Sequence, residues 1–161
     1  MNEIIKKYFD FEKKKHYDFF LPYYRQKNWI VHKDNINGNR KIEWDVELEP
    51  FVGKFVQVDE KARVGDYGDF LVEIIQNMKS GSLGWLYGLK IGWILYGSWR
   101  NINDFNPSSL YKVRIGMLKS YILKLKGIRK TCIAPDGWGI TWNIILSWDE
   151  LILNRVAEKL I

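Results

Sequence analysis

Residues 41–63 read KIEWDVELEPFVGKFVQVDEKAR, and this stretch decides the fold. Within 41–49, apolar residues alternate with acidic ones, which predicts a strand with one acidic face. A short connection over 50–53 leads into a second predicted strand over 54–63. The stretch therefore predicts a β-hairpin.

Hydrophobic periodicity and turn residues predict the other elements. Helices are expected over 2–20, 110–126 and 147–160, and strands over 70–75, 91–99 and 142–146. Pro22 should end the first helix, and Ser147 with Glu150 forms a capping box before the last one. Strand 91–99 carries almost no charge, so we place it at the centre of the sheet. The order predicts an α/β protein with a single domain over 1–161, in which helices flank a central mixed β-sheet.

The first predicted helix has an identifiable inner face. Residues at helical spacing, with lysines between them, define it: Ile4, Ile5, Tyr8, Phe9, Glu12 and His16. His16 is expected to pack on this helix, whereas His32 is expected at the surface.

Composition narrows the class of protein. Hydrophobic residues make up 47% and charged residues 27% of the chain, which is typical of a folded globular domain. The single cysteine, Cys132, excludes an internal disulfide and a cysteine-based zinc site. No apolar run approaches the roughly 18 residues of a membrane span, so a cytoplasmic protein without a membrane partner is expected.

The net charge of +6 is unevenly distributed. Residues 42–78 carry a net charge of −6, and they lie between 1–41 at +5 and 79–130 at +9. A basic surface favours a polyanionic partner such as nucleic acid. The acidic block between the basic ones suggests a carboxylate site that needs a cation.

The predicted hairpin brings chemically useful side chains together. Asp59 and Lys61 are two residues apart and therefore point to the same side of their strand, and the hairpin can place Asp45 beside them. Carboxylates from neighbouring strands can hold a hard divalent cation. Lys61 would then bind the scissile phosphate or help to deprotonate a metal-bound water. Glu73, on the next predicted strand, could reach the same edge.

A longer string of residues resembles the PD-(D/E)XK nuclease superfamily, which has the restriction-endonuclease-like fold. The match covers roughly residues 40–97, and it is similar to the DEKxR…Y-x-D…E…GW…Y pattern of small bacterial and phage-associated members. The matching residues, apart from Asp45, are Val58-Asp59-Glu60-Lys61-Ala62-Arg63, Tyr67-Gly68-Asp69, Glu73, Gly84-Trp85 and Tyr96. The chain departs from the pattern at Trp44, where proline is usual, and at Trp93, where an acid is expected.

The resemblance implies a restriction-endonuclease-like core and metal-dependent hydrolysis of phosphodiester bonds, with DNA as the expected substrate. Asp45 and Asp59 would be catalytic metal ligands, and Lys61 would be the catalytic lysine. Glu73 would be an accessory acid at the metal. The implied cofactor is Mg²⁺ or Mn²⁺.

A lysine repeat predicts a surface for DNA. Lys112, Lys119 and Lys126 recur every seven residues, opposite the apolar side of the predicted helix 110–126. Together with Arg63, which could instead pair with a nearby aspartate, they are expected to contact the backbone of duplex DNA. A homodimer in which each subunit cuts one strand fits such a substrate.

Two alternatives accompany this interpretation. The first is a catalytically inactive protein of the same fold that binds nucleic acid or has a structural role, and metal-dependent cleavage separates it from an enzyme. The second, a GIY-YIG nuclease, is suggested by Trp85-Leu86-Tyr87-Gly88. That chemistry needs a downstream glutamate, and residues 79–130 contain none, so we set it aside. The sequence leaves DNA versus RNA open.

Overall fold

Two β-sheets and a helical layer form the part of the chain that the structure describes. This computed structural model describes residues 3–37, 44–77, 79–88, 92–125, 131–136 and 139–161. In chain order, the elements are α1 (Glu3–Lys15), a π-helical segment (His16–Phe20), α2 (Leu21–Gln26), β1 (Ile30–Asp34), β2 (Val46–Phe51), β3 (Lys54–Val64), β4 (Asp69–Asn77), β5 (Ser82–Leu83), α3 (Trp85–Gly88), β6 (Trp93–Trp99), β7 (Ser109–Arg114), α4 (Ile115–Lys124), β8 (Thr131–Asp136), β9 (Gly139–Ser147), α5 (Trp148–Leu153) and β10 (Ala157–Lys159).

The larger sheet is mixed, and the smaller sheet is antiparallel. The larger one has six strands in the order β1-β2-β3-β6-β7-β10, in which β3 and β6 form the parallel pair. The smaller one has four strands in the order β5-β4-β9-β8. The chain is therefore a single-domain α/β protein with a mixed sheet flanked by helices, as the sequence predicts, but its strands divide between two sheets.

Strand β6 separates two hydrophobic cores. Leu95 and Trp99 pack with the helical layer, in a core that also includes aromatic rings from the π-helical segment and α2. Ile94 and Tyr96 face the other way, into a core shared with β4, β9, α4 and α5. This alternation follows from the two-residue period of a strand. It confirms the central position predicted for this uncharged strand, which lies between β3 and β7.

The hairpin predicted from 41–63 is confirmed where the structure describes it. Strands β2 and β3 pair antiparallel, with Val46 opposite Val58 and Phe51 opposite Lys54. The start of the strand predicted from 41 lies outside the described residues. Strand β1 was not predicted; it pairs with β2 and forms one edge of the six-stranded sheet.

The prediction that Pro22 ends the first helix is wrong. The helix passes through the π-helical segment into α2, and Pro22 lies in the first turn of α2. Pro22 removes one N–H donor from this continuous helix, and it follows the π-helical segment, where the α-helical hydrogen-bond pattern is already interrupted.

The helix predicted over 110–126 is wrong in its first part. Residues 109–114 form β7, which pairs antiparallel with β6, and α4 begins only at Ile115. Leu110 packs in one core while Tyr111 and Val113 pack in the other, so this segment also has the alternation of a strand. The local sequence of this segment is compatible with both a helical and a strand pattern. Its hydrogen bonds to the free edge of β6 make it a strand.

The terminal helix is shorter than predicted. Ser147 is its N-cap as expected, because its Oγ accepts a hydrogen bond of 3.1 Å from the backbone N–H of Glu150. Helix α5 ends at Leu153, and Arg155 adopts a φ of 59°, which an α-helix cannot continue. The chain then adds β10 to the edge of the six-stranded sheet beside β7.

Candidate active site

Asp45 lies where β2 begins to pair with β3. Its backbone N–H donates to the carbonyl oxygen of Val58 at 2.9 Å, and its Oδ2 accepts a hydrogen bond of 2.7 Å from the backbone N–H of Glu60. The hairpin thus brings Asp45 against a part of β3 that is 15 residues away in sequence. This is the proximity that the sequence predicts.

Strand β3 has an edge without a β2 partner beyond Val58, and acidic side chains cover it. The pairing with β2 ends where Val46 faces Val58. Past that point, the Asp45 carboxylate accepts a hydrogen bond from the backbone N–H of Glu60, and Glu12 on α1 accepts one from the backbone of Ala62. The two carboxylates therefore satisfy backbone donors that a neighbouring strand would otherwise bind.

Asp59 and Lys61 form an ion pair on the same side of β3. The Nζ atom of Lys61 lies 3.1 Å from Oδ1 and 3.0 Å from Oδ2 of Asp59. Asp59 is buried, with 7% of its surface exposed, whereas the Lys61 side chain retains 31% exposure. We refer to Glu12, Asp45, Asp59 and Lys61 as the cavity cluster.

A cavity of about 240 Å³ lies beside this cluster. Three cluster members line it, Glu12, Asp45 and Lys61, while Asp59 holds Lys61 through their ion pair. The remaining lining residues are Phe9, Asp10, Lys13, Phe20, Ile36, Glu60 and Ala62. The cavity is therefore bounded by α1, by β3 and by the residues that flank β2.

The cavity cluster has more acids than bases, and this changes its protonation. Burial, and then the charge of Asp59, raise the pKa of Asp45 to about 8. Burial also raises the pKa of Glu12, although the charge of Lys61 opposes this. For Lys61, burial alone would lower the pKa, but the charges of Asp59, Glu12 and Asp45 raise it above its ordinary value. Lys61 is thus a permanent cation in a site that can accommodate another one.

The donor set of the cluster fits a divalent cation such as Mg²⁺ or Mn²⁺. Such ions take oxygen ligands, and carboxylate oxygens are offered by Glu12 on α1, by Asp45 just before β2 and by Asp59 on β3. Among the described residues, no three His, Cys, Asp or Glu side chains are already arranged to hold a metal. Lys61 is the cation that Asp59 binds in this structure.

A second group of polar side chains surrounds Glu60, which points to the other side of β3 from Asp59 and Lys61 and also lines the cavity. The Glu60 carboxylate accepts a hydrogen bond of 2.7 Å from the Tyr24 hydroxyl and contacts His16 Nδ1 at 2.7 Å. The other ring nitrogen of His16 lies 3.1 Å from Asp34 Oδ2. His16 is completely buried. We refer to His16, Tyr24, Asp34 and Glu60 as the buried network.

Electrostatics favour a charged imidazole in the buried network. Burial lowers the pKa of His16, but the hydrogen bonds and charges of Glu60 and Asp34 outweigh burial and raise it. Burial also raises the pKa of Glu60, and its hydrogen bonds to His16 and Tyr24 act in the opposite direction. The network therefore holds protons more tightly than its isolated members would.

Two predicted site residues are placed away from the cavity. Glu73 is on β4, in the four-stranded sheet, where its Oε1 accepts a hydrogen bond of 3.3 Å from the backbone N–H of Trp85. Because the chain forms two sheets, Glu73 does not line the cavity as an accessory acid. Arg63 is on β3, but its guanidinium pairs with Asp69 at 2.8 Å and lies over the ring of Tyr67.

The predicted lysine stripe is not assembled in the described residues. Lys112 is on β7, where its Nζ pairs with Glu158 at 2.7 Å and lies 5.0 Å from the centre of the Trp93 ring. Lys119 is on α4, and Lys126 lies outside the described residues. The seven-residue spacing does not place these side chains on one helix, because the segment changes from strand to helix at Ile115.

Sequence reasoning missed two contributions from α1 and the segment after it, namely Glu12 in the cavity cluster and His16 in the buried network. Both residues were at helical spacing with the apolar face of the first helix. Charged or titratable side chains are rarely buried without a partner, so their position on that face was an available signal.

Comparison with known proteins found no matching family model, no matching curated protein and no matching solved structure. The helices described here include none long and apolar enough to cross a membrane.

Proposed function

We propose that this protein is a Mg²⁺- or Mn²⁺-dependent nuclease of the PD-(D/E)XK type that hydrolyses phosphodiester bonds of DNA. One observation carries the proposal: Glu12, Asp45 and Lys61 line one cavity, and Asp59 is paired with Lys61 beside it. Burial, and then the charge of Asp59, raise the pKa of Asp45, and this supports a site that gains stability from a cation.

The side chains of the cluster would have separate roles. Glu12, Asp45 and Asp59 would hold the metal ion. When bound, such an ion supplies Lewis acidity and lowers the pKa of bound water. Lys61 keeps its proton because its pKa is raised, so it stabilises negative charge on the phosphate instead of accepting a proton. The cavity opens beside Lys61, where a phosphate group can approach.

The test is cleavage of labelled DNA oligonucleotides, single-stranded, duplex and branched, with Mg²⁺, with Mn²⁺ and with EDTA. We expect cleavage that requires the metal and that is lost in Asp59→Asn. Asp149→Asn is the matched control, because Asp149 is an exposed aspartate in the first turn of α5. Activity that survives in Asp59→Asn, purified in the same way, would contradict the proposal.

The ion pair between Lys61 and Asp59 favours one alternative, an inactive nuclease fold that binds nucleic acid or has a structural role. In that case Lys61 would neutralise Asp59 permanently, as it does in this structure. The same preparation decides between the two functions. An inactive protein would cut none of the substrates with either metal, and its melting temperature would not respond to the metal.

A further inference from the structure

The outer face of α1 combines exposed lysines with an exposed aromatic ring beside the cavity. We define this face by its exposed residues, which are Lys6, Lys7, Phe9, Asp10, Lys13 and Lys14. Lys6, Phe9 and Lys13 lie within about 60° of one another at 100° per residue. Phe11 and Lys15, on the opposite side of the helix, are buried. The outer face is thus a distinct surface of four lysines, one aspartate and one phenyl ring.

The outer face continues directly into the cavity. Phe9 and Lys13 are both lining residues of the cavity and are one helical turn apart. Glu12, which belongs to the cavity cluster, projects between this face and the buried side of α1. Whatever binds in the cavity can therefore extend onto the outer face without a change in the fold.

Phe9 is positioned for contact with a planar ligand. It exposes 48% of its surface at the cavity, although a large apolar ring gains free energy from burial. Tyr17, in the π-helical segment, adds a second exposed ring along the same axis, with 42% of its surface exposed. Nucleobases stack on such rings regardless of their sequence, because every base has a π-face.

The charges on α1 complement a phosphate backbone. The four exposed lysines outnumber Asp10, whereas the cavity cluster next to them is acidic. A strand with one phosphate at Lys61 would place neighbouring phosphates near Lys13 and Lys6 and a neighbouring base near Phe9. An acidic protein would also find cations here, but only a nucleic acid carries a planar group beside every negative charge of its backbone.

We propose that the outer face of α1 binds an unpaired strand of nucleic acid, so that the substrate is single-stranded at the site of cutting. This inference rests on the proposed nuclease function and specifies its substrate. Stacking on Phe9 needs a base that is not already stacked in a duplex, which distinguishes this surface from a basic patch that would bind any backbone. It replaces the duplex expected from the lysine repeat at 112–126.

The experiment is equilibrium binding without metal, followed by fluorescence anisotropy. The probes are a labelled single-stranded DNA without self-complementarity, its duplex, and an RNA of the same sequence. The variants are Phe9→Ala, Phe9→Trp and the double change Lys6→Gln with Lys13→Gln. The matched controls are Phe51→Ala, at an exposed phenylalanine of β2, and Lys54→Gln with Lys124→Gln, at exposed lysines of β3 and α4.

The wild-type protein should bind the single strand more tightly than the duplex. Phe9→Ala should weaken single-strand binding by about 5- to 100-fold, the range typical of losing one base–aromatic stack. Phe9→Trp should retain the affinity. The double lysine variant should reduce the salt slope by about 1.4, or about 0.7 for each phosphate that a lysine no longer neutralises. The RNA probe tells whether the surface distinguishes the two sugars.

Three results would overturn the inference: duplex bound as tightly as the single strand, Phe9→Ala equal to Phe51→Ala, or no binding at all. The readout does not depend on cleavage. If the protein binds the single strand through Phe9 but cuts no substrate, the binding surface stands and the nuclease function is rejected. If the protein cuts DNA but Phe9→Ala binds as tightly as the wild type, the nuclease function stands and the binding surface is rejected. Melting temperatures of all variants verify that the exposed changes leave the fold intact.

Discussion

Two groups of charged side chains beside β3 differ in how their charges are balanced. In the cavity cluster, carboxylates outnumber cations, and the pKa of Asp45 rises to about 8. In the buried network, each oxygen of Glu60 has a partner, Tyr24 at 2.7 Å and His16 at 2.7 Å. Neighbouring residues of one strand thus belong to an unbalanced and to a balanced set of charges.

Buried polar groups in folded proteins are normally paired, and both groups follow that rule. The difference lies in the balance of charge, because the three carboxylates of the cavity cluster share one cation, Lys61. The cavity beside them is where a ligand can supply further positive charge.

Removing His16 should have the largest effect on stability. His16→Leu leaves the Glu60 carboxylate buried with Tyr24 as its donor, and breaking a buried charge pair costs about 3 kcal/mol. We expect a correspondingly lower free energy of unfolding in urea at pH 6, where His16 is charged.

The control is His32→Leu. His32 contacts Glu49 at the same 2.7 Å, but this pair lies at the surface of β1 and β2. The loss should be much smaller there, because solvent screens exposed ion pairs. Equal losses in the two variants would show that burial does not distinguish the two histidines.

Lys61→Ala should have the largest effect on catalysis. Removing one group that stabilises transition-state charge typically lowers the rate about 100- to 1000-fold. We expect such a loss in the turnover number for a labelled oligonucleotide in saturating Mg²⁺, with the circular dichroism spectrum unchanged. Wild-type turnover in this variant would remove Lys61 from the mechanism.

Asp45→Asn should make the metal-free protein more stable in alkaline solution. The folded state holds the Asp45 proton up to about pH 8, whereas the unfolded chain releases it near pH 4. This group therefore favours folding below about pH 4, and that contribution is lost as the pH rises to about 8. Asparagine retains an acceptor for the N–H of Glu60, so the variant should be more stable than the wild type at pH 8.

The measurement is urea unfolding of both proteins from pH 4 to pH 9 in EDTA. The gain of Asp45→Asn over the wild type should grow across that range. A wild type that is the more stable protein at every pH would mean that the cavity cluster is not strained by its own charge.

Metal binding should produce the smallest of these effects. A cation at five times its dissociation constant stabilises the folded state by about 1 kcal/mol, or about 2–4 °C in melting temperature. We expect this rise with Mg²⁺ or Mn²⁺ and none in Asp59→Asn. Asp149→Asn should keep the rise, and NaCl at equal ionic strength controls for screening. A melting temperature that changes with neither metal would argue against the site.

Local sequence was enough to predict that Asp45 lies near the pair Asp59 and Lys61. These residues belong to one hairpin, and the two-residue period of its strands determines which side chains share a face. Strand β6 was also predictable, because a strand buried on both faces has few charges.

Contacts between distant segments were not predictable in this way. Glu12 reaches the cavity because α1 packs on β3, about 50 residues later, and Glu73 misses it because β4 joins another sheet. Residues 110–114 fit a helix or a strand equally well by their own pattern. They form a strand because one edge of β6 is free to pair with them, and that edge is a property of the whole sheet.

The π-helical segment at His16–Phe20 sets the rotational phase between α1 and α2. A π-turn contains one residue more than an α-turn, and one residue corresponds to about 100° of rotation. Deleting a residue within this segment would remove the extra residue of the π-turn and rotate everything before it by about that angle relative to Tyr24. Glu12 and Phe9 would then face away from the cavity. The number of residues between Glu12 and Tyr24 is therefore constrained as tightly as their identity.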